Sequence, residues 1–157
     1  MDKETAGRMA KALIGGNKYL VLATSDRMSR PWAATVFYAH DADYNFYFIS
    51  AIDTLHVKNI AENPNVAFVI YDSSTPIGRY DAVQASGVVE QLNRQDVPAA
   101  IETYCKKLFS GTEKPDARYD PMDYVEPSEF RIFRIRPKHV YTTSEERRTE
   151  INPKEIG

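Results

Sequence analysis

Apolar and polar positions change period along this chain, and each change marks an element. Residues 3–14 follow a helical period, with Met9, Ala10, Leu13 and Ile14 on one side, and Gly15-Gly16 is expected to stop that helix. YLVLATS (19–25), WAATVFYA (32–39) and FYFIS (46–50) are short β-type runs separated by the polar turns DRMSRP and HDADYN, which predicts three early strands in hairpin-like succession. A short helix over 54–63 follows, ended at Asn63-Pro64 because proline disfavours helix in the residue before it. The run 65–71 is an apolar strand.

The segment DSSTPIGRYD (72–81) reads as a loop, and AVQASGVVEQL (82–92) as a long strand in which Gly87 marks a bulge or a close approach. Residues 94–109 predict a second good helix, with Val97, Ile101, Tyr104, Cys105 and Leu108 on its apolar face. Residues 110–128, with Gly111, Pro115, Pro121 and Pro127, carry no period and read as a long loop, a lid or a subunit-contact segment. EFRIFRIRP (129–137) is a strand with Arg131, Arg134 and Arg136 among its apolar residues, and HVYTT (139–143) is expected to extend it past a bend. The charged tail, 144–157, is expected to be frayed or partner-bound. Six antiparallel strands with short turns and inserted helices point to a mainly β fold, a closed or partly open barrel in a single domain.

Composition narrows the classes. The 157 residues are 43% hydrophobic and 27% charged, with a formal net charge of -2, which argues against a generic binder of nucleic acid or acidic membrane. One cysteine, Cys105, excludes an intrachain disulfide and is expected to be a buried hydrophobe. The N-terminus is too polar for a signal peptide and the apolar runs are too short to span a bilayer, so a soluble cytoplasmic protein is expected. His40, His56 and His139 lack metal-ligand spacing, and no metal site is expected. Asp41 and Asp43 are turn aspartates, and Tyr80 is either a ligand-stacking or a packing residue. The arginines of 131–136 are either an anionic-substrate patch or the polar face of a half-wet strand.

The candidate chemistry lies in Phe46–Tyr71, read as strand, short helix and strand. Asp53 or Thr54 can cap the helix by accepting from a free backbone N–H, and Ser50, His56 and Lys58 surround its first turn. Hydroxyls, an imidazole, an ammonium and unpaired N–H groups make a good anion site. The alternative is a solvated surface helix whose His56 and Lys58 simply face water.

Four stretches together resemble the FMN-binding split-barrel family, whose best-known members are the pyridoxamine 5'-phosphate oxidases. They are YLVLATSDRMSRPWAATVFYAHD, FYFISAIDTLHVKNIAENPNVAFVIYD, AVQASGVVEQL and FRIFRIRPKHVYTT, running from about Tyr19 to Thr143. The resemblance implies a six-stranded antiparallel split barrel with peripheral helices, forming a homodimer with FMN in a groove at the interface. It implies that Trp32, Ala33, Ala34, Thr35, Val36 and Phe37 line the flavin ring. Ser50, Thr54, His56 and Lys58 would surround the phosphate, and Gln84 would reach the flavin or ribityl edge. His56 stands where many relatives place a lysine. The C-terminal arginine-rich substrate motif of the vitamin-B6 oxidases is not matched by FRIFRIRPKHVYTTSEERRTEINP. The resemblance therefore implies FMN binding rather than vitamin-B6 chemistry: an FMN-dependent oxidoreductase acting on an unidentified small molecule, with no catalytic residue assigned. The alternatives are a non-catalytic flavin- or haem-binding carrier or sensor, and an interaction domain with an empty groove.

Overall fold

The computed structural model describes residues 1–110, 119–144 and 147–156. Their strands form a single antiparallel sheet in the order β2-β1-β5-β6-β7-β4-β3, with β8 added to β7. Six strands carry the barrel: β1 (Tyr19–Ser25), β2 (Pro31–Phe37), β4 (Phe46–Ala51), β5 (Asn65–Tyr71), β6 (Ala82–Gln91) and β7 (Phe130–Ser144). The two-residue β3 (Ala39–His40) splits from the end of the expected second strand, and β8 is Arg147–Ile151. The sheet curls so that β2 and β4, far apart in strand order, come to lie against each other. The fold is mainly β, a partly open barrel as the strand pattern predicts and the split barrel that the resemblance implies.

The alternation along each strand explains the curl. Leu20, Leu22, Phe46, Phe48, Phe68, Ile70, Val83, Phe133 and Ile135 point inward into one core. Helix α1 (Lys3–Gly16) also feeds that core, through Ala6, Ala10 and Ile14. It is capped by the Asp2 carboxylate, which accepts from the Thr5 N–H at 2.8 Å. The helix runs on through the two glycines expected to stop it. Of the expected face Ala10 and Ile14 are buried, joined by Ala6, while Leu13 packs partly buried beside them and Met9 is not part of the core. Helix α3 (Val97–Leu108) packs outside the barrel over Tyr47, Leu92 and Ile132. Cys105 is buried there, and burial pushes its thiol pKa up, as for a core side chain.

One feature of β7 and one of the tail depart from the simple pattern. Pro137 does not end the strand: β7 continues to Ser144 across a bulge, where Gly87 pairs with Pro137 and Ser86 with His139. A Cβ on Gly87 would lie 2.3 Å from the Arg136 carbonyl oxygen, so the close approach that the glycine signals is real. The tail is ordered where it is described. Ile151 and Ile156 are buried, and a capping box at Asn152 and Glu155 closes a 3-10 turn over Pro153–Glu155. The charge-rich composition hid these two anchors. Of the expected loop 110–128, residues 111–118 lie outside the described residues. A 3-10 turn covers Pro121–Tyr124, and the Tyr124 ring packs into the α3 cluster.

Candidate functional site

Helix α2 (Leu55–Glu62) crosses from the end of β4 toward β1 and β2. Its N-cap is Thr54, but no side chain caps its backbone N–H groups. The Thr54 hydroxyl instead donates to the Ala51 carbonyl at 2.8 Å, at the end of β4, where the Thr54 N–H also donates to it at 3.3 Å. Asp53 is exposed and does not cap either. The first-turn N–H groups of α2 therefore have no side-chain acceptor.

The residues expected around that turn do meet. Ser50 Oγ lies 2.6 Å from His56 Nε2 and 3.3 Å from Thr54 Oγ1, and Thr54 Oγ1 is 3.4 Å from the same ring nitrogen. Ser50 and His56 are both buried. The ring of His56 turns inward to Phe48, with centroids 6.4 Å apart, so His56 does not face water as a solvated surface helix would have it. Burial holds its pKa below the ordinary imidazole value. His56 is thus a neutral hydrogen-bonding partner, and Lys58, two residues on and on the exposed side of α2, carries the positive charge.

Two buried residues that sequence reasoning passed over lock α2 in place. Asn59 Nδ2 donates to Thr24 Oγ1 at 3.1 Å, and Thr24 Oγ1 reaches the Trp32 carbonyl at 3.5 Å. The signal was present: His56 and Asn59 are both polar at i, i+3 on the side of α2 that carries Val57 and Ile60 inward. This short relay fixes the start of β2 beside α2. Trp32, Ile52, Leu55 and Phe130 are each close to half exposed at this end of the barrel. An apolar rim so borders a polar, partly uncapped helix start.

The expected ring-lining residues divide. β2 is an edge strand, hydrogen-bonded in ladder only to β1. Strand alternation sends Trp32, Ala34 and Val36 to the side of Leu20, Leu22 and Thr24, and Ala33, Thr35 and Phe37 to the outer side. A planar ring resting on one face would meet three of the six side chains. Gln84 lies elsewhere: on the outer face, Thr35, Val21, Val69 and Gln84 form one cross-strand row. Three strand spacings separate Gln84 from β2, about 14 Å. One protomer therefore brings Ser50, Thr54 and His56 together, holds the Trp32 backbone beside α2 through Thr24 and Asn59, keeps Lys58 on the exposed side of the same helix, and leaves Gln84 apart.

Gln84 instead borders a cleft of about 390 Å³ under the loop 72–81, where Tyr80 is also found, 57% exposed. Among the arginines of β7, Arg134 and Arg136 share Glu90, at 2.6 and 3.0 Å, on one face. Arg131 lies on the other. The turn aspartate Asp41 accepts from the N–H groups of Asp43 and Asn45, which is a backbone role. Among the described residues no three His, Cys, Asp or Glu side chains gather as a metal site would need, and no helix is long and apolar enough to cross a membrane.

With this geometry in view, residues 8–144 match the family model described as pyridoxamine 5'-phosphate oxidase, and the chain belongs to that family. It is 31% identical over 84 residues to a pyridoxine/pyridoxamine 5'-phosphate oxidase of Coxiella burnetii, covering 54% of this chain and 41% of that protein. It is 30% identical over 90 residues to a UPF0306 protein of Photorhabdus laumondii, covering 57% of this chain and 61% of that one. The matches so span about half the length of these curated relatives. Among solved structures, the fold is similar to a haem-binding protein from Mycobacterium smegmatis, with TM-score 0.72, 17% identity and 96% of this chain on 59% of that one. It is also similar to a protein from Clostridium acetobutylicum related to general stress protein 26, of the pyridoxinephosphate oxidase family. There the TM-score is 0.68 and the identity 14%, over 100% of both chains.

Proposed function

We propose that this protein binds FMN as a two-fold dimer and acts as an FMN-dependent oxidoreductase on a small molecule. The observation that carries this reading is the Ser50–Thr54–His56 cluster at the uncapped start of α2, in a chain of the pyridoxamine 5'-phosphate oxidase family. The Ser50 hydroxyl and the uncapped helix N–H groups suit a phosphate, and Lys58 adds charge. Neutral His56 orients the Ser50 hydroxyl and supplies no charge of its own. The apolar rim of Trp32, Ile52, Leu55 and Phe130 would exclude water from a ring seated beside the phosphate. Bound FMN would supply the redox chemistry, while the protein binds, orients and shields it.

The dimer rests on the outer face of the sheet. Ala33, Ala23, Ala67 and Ser86 form a cross-strand row of small side chains, flanked by Tyr19 and Tyr71, which are 57% and 50% exposed. Small residues let another flat surface approach closely, and exposed tyrosines add area to bury. A second copy is the simplest cover, and two-fold contact is the commonest geometry. It would also bring Gln84 of a second chain within range of a groove that its own chain does not reach. Analytical ultracentrifugation with and without FMN tests this: a dimer is expected, and a monomer that still binds FMN tightly would overturn it.

A second reading, a haem carrier or sensor, has one observation in its favour. His139 Nδ1 lies 3.0 Å from Glu150 Oε1 with its side chain 57% exposed, which leaves Nε2 open on a carboxylate-oriented ring. An absorption spectrum of the protein as purified separates the readings. Flavin bands are expected, and a Soret band without them would move the assignment to haem.

A further inference from the structure

We propose that the cavity between the β6–α3 loop and the 3-10 turn 121–124 binds a small oxyanion, a phosphate ester or a carboxylate, through Arg131 and Arg94. The cavity encloses about 260 Å³ and is lined by Gln91, Asn93, Arg94, Tyr124, Glu126 and Arg131 among others. None of these belongs to the cluster at α2, so the proposal goes beyond the cofactor reading.

Arg131 is the reason to look here. It is only 7% exposed, on the strand side that carries Phe133 and Ile135 inward. Its Nη1 donates to two backbone carbonyls, those of Ser128 and Phe130. Among the described residues no carboxylate lies within ion-pair distance of it. Arg134 and Arg136, on the same strand, both find Glu90. Among the described residues the Nε and Nη2 groups of Arg131 have no partner, and Arg131 is not among the side chains with a sealed, unpartnered polar atom. Arg131 is one of the residues that line the cavity.

A nearly buried guanidinium without a counter-ion is costly, and the cost is offset when an anion supplies charge and acceptors together. The guanidinium fork matches two oxygens of a carboxylate or phosphate. Arg94, exposed on the loop at the rim, adds a second fork, and the Gln91 carboxamide adds a neutral donor. Glu126 also lines the cavity but stays out of ion-pair range of Arg131, so it opposes an incoming anion without neutralising the site. The cavity is small for a drug-sized ligand and suits one anionic group with a short body.

Titration calorimetry of the full-length protein with inorganic phosphate, and separately with acetate, tests the proposal. Saturable binding of at least one is expected, weakened tenfold or more in Arg94→Gln and lost in Arg131→Gln. Glu126→Gln should bind no more weakly than wild type. Arg27→Gln, which removes an exposed arginine outside the cavity, should bind as wild type does and so controls for a general loss of positive charge. Preference for phosphate would identify a phosphate ester, and preference for acetate a carboxylate. Should Arg131→Gln fail to fold, the exposed Arg94→Gln decides alone. No saturable binding, binding unchanged in Arg94→Gln, or binding weakened equally in Arg27→Gln would each overturn the proposal.

Discussion

Ser50→Ala is the substitution whose effects on stability and on ligand binding can be read separately. Ser50 is 8% exposed at the end of β4, and its hydroxyl makes the short 2.6 Å bond to His56 Nε2. Alanine fits the same space, so packing changes little. What is lost is the only short partner of a buried imidazole nitrogen, since the Thr54 contact is 3.4 Å long. A buried polar group left without its partner costs about 1–3 kcal/mol. For a chain of this length each kcal/mol lowers Tm by about 2–4 °C, so a fall of about 2–12 °C is expected by calorimetry. The same hydroxyl is one of the proposed phosphate donors. Losing a hydrogen bond to a charged group, worth about 1.5–3 kcal/mol, should weaken FMN binding about 10- to 150-fold, while riboflavin affinity stays put. Flavin fluorescence quenching measures both. If riboflavin and FMN weaken equally, Ser50 acts through the fold alone. If neither affinity changes, the phosphate is held elsewhere.

Further consequences can be checked on the same protein. Gly87→Ala places a Cβ 2.3 Å from the Arg136 carbonyl oxygen and 2.9 Å from Pro137 Cα, both backbone, so the β6–β7 ladder must shift. Overpacking of this kind costs about 1–3 kcal/mol, and a melting temperature equal to wild type would show that the bulge yields freely. Burial lowers the pKa of His56, so between that lowered value and the ordinary 6.5 the unfolded chain binds more protons than the folded one. Its contribution to stability is therefore complete above about pH 6.5 and is lost as pH falls, by at most about 1.4 kcal/mol per pH unit. His56→Gln should flatten this part of the stability–pH curve measured by urea unfolding, and an unchanged slope would mean that His56 does not titrate differently on folding.

How far the sequence reaches depends on the range of the forces involved. The barrel strands were legible because alternation is local, and Leu20, Leu22, Phe46 and Phe48 each announce an inward face. Gly87 was legible because glycine within a strand signals a close approach. The gathering of Ser50, Thr54 and His56 was also legible, since all three lie within one strand–helix junction. Their hydrogen bonds were not. Capping by Thr54 gave way to the Ala51 carbonyl, a competition settled by where β4 ends. The inward turn of His56 depends on Phe48 and on the Asn59–Thr24 bond across 35 residues of sequence. The order of the C-terminal tail escaped for a similar reason: Ile151 and Ile156 are two apolar anchors in a charged stretch, and they pack against α1 at the opposite end of the chain. The division of 32–37 between two faces follows from alternation alone and was open to the sequence. A resemblance carried over as a continuous block concealed it.

The phosphate site at the start of α2 is the central claim, and a paired titration of the wild-type protein with FMN and riboflavin at constant ionic strength tests it most directly. The two ligands share the ring and the ribityl chain and differ only in the phosphate. FMN should bind at least tenfold more tightly, and Lys58→Ala should narrow the gap without lowering Tm, because Lys58 is exposed and outside the core. Equal affinities for FMN and riboflavin in the wild-type protein would contradict the account.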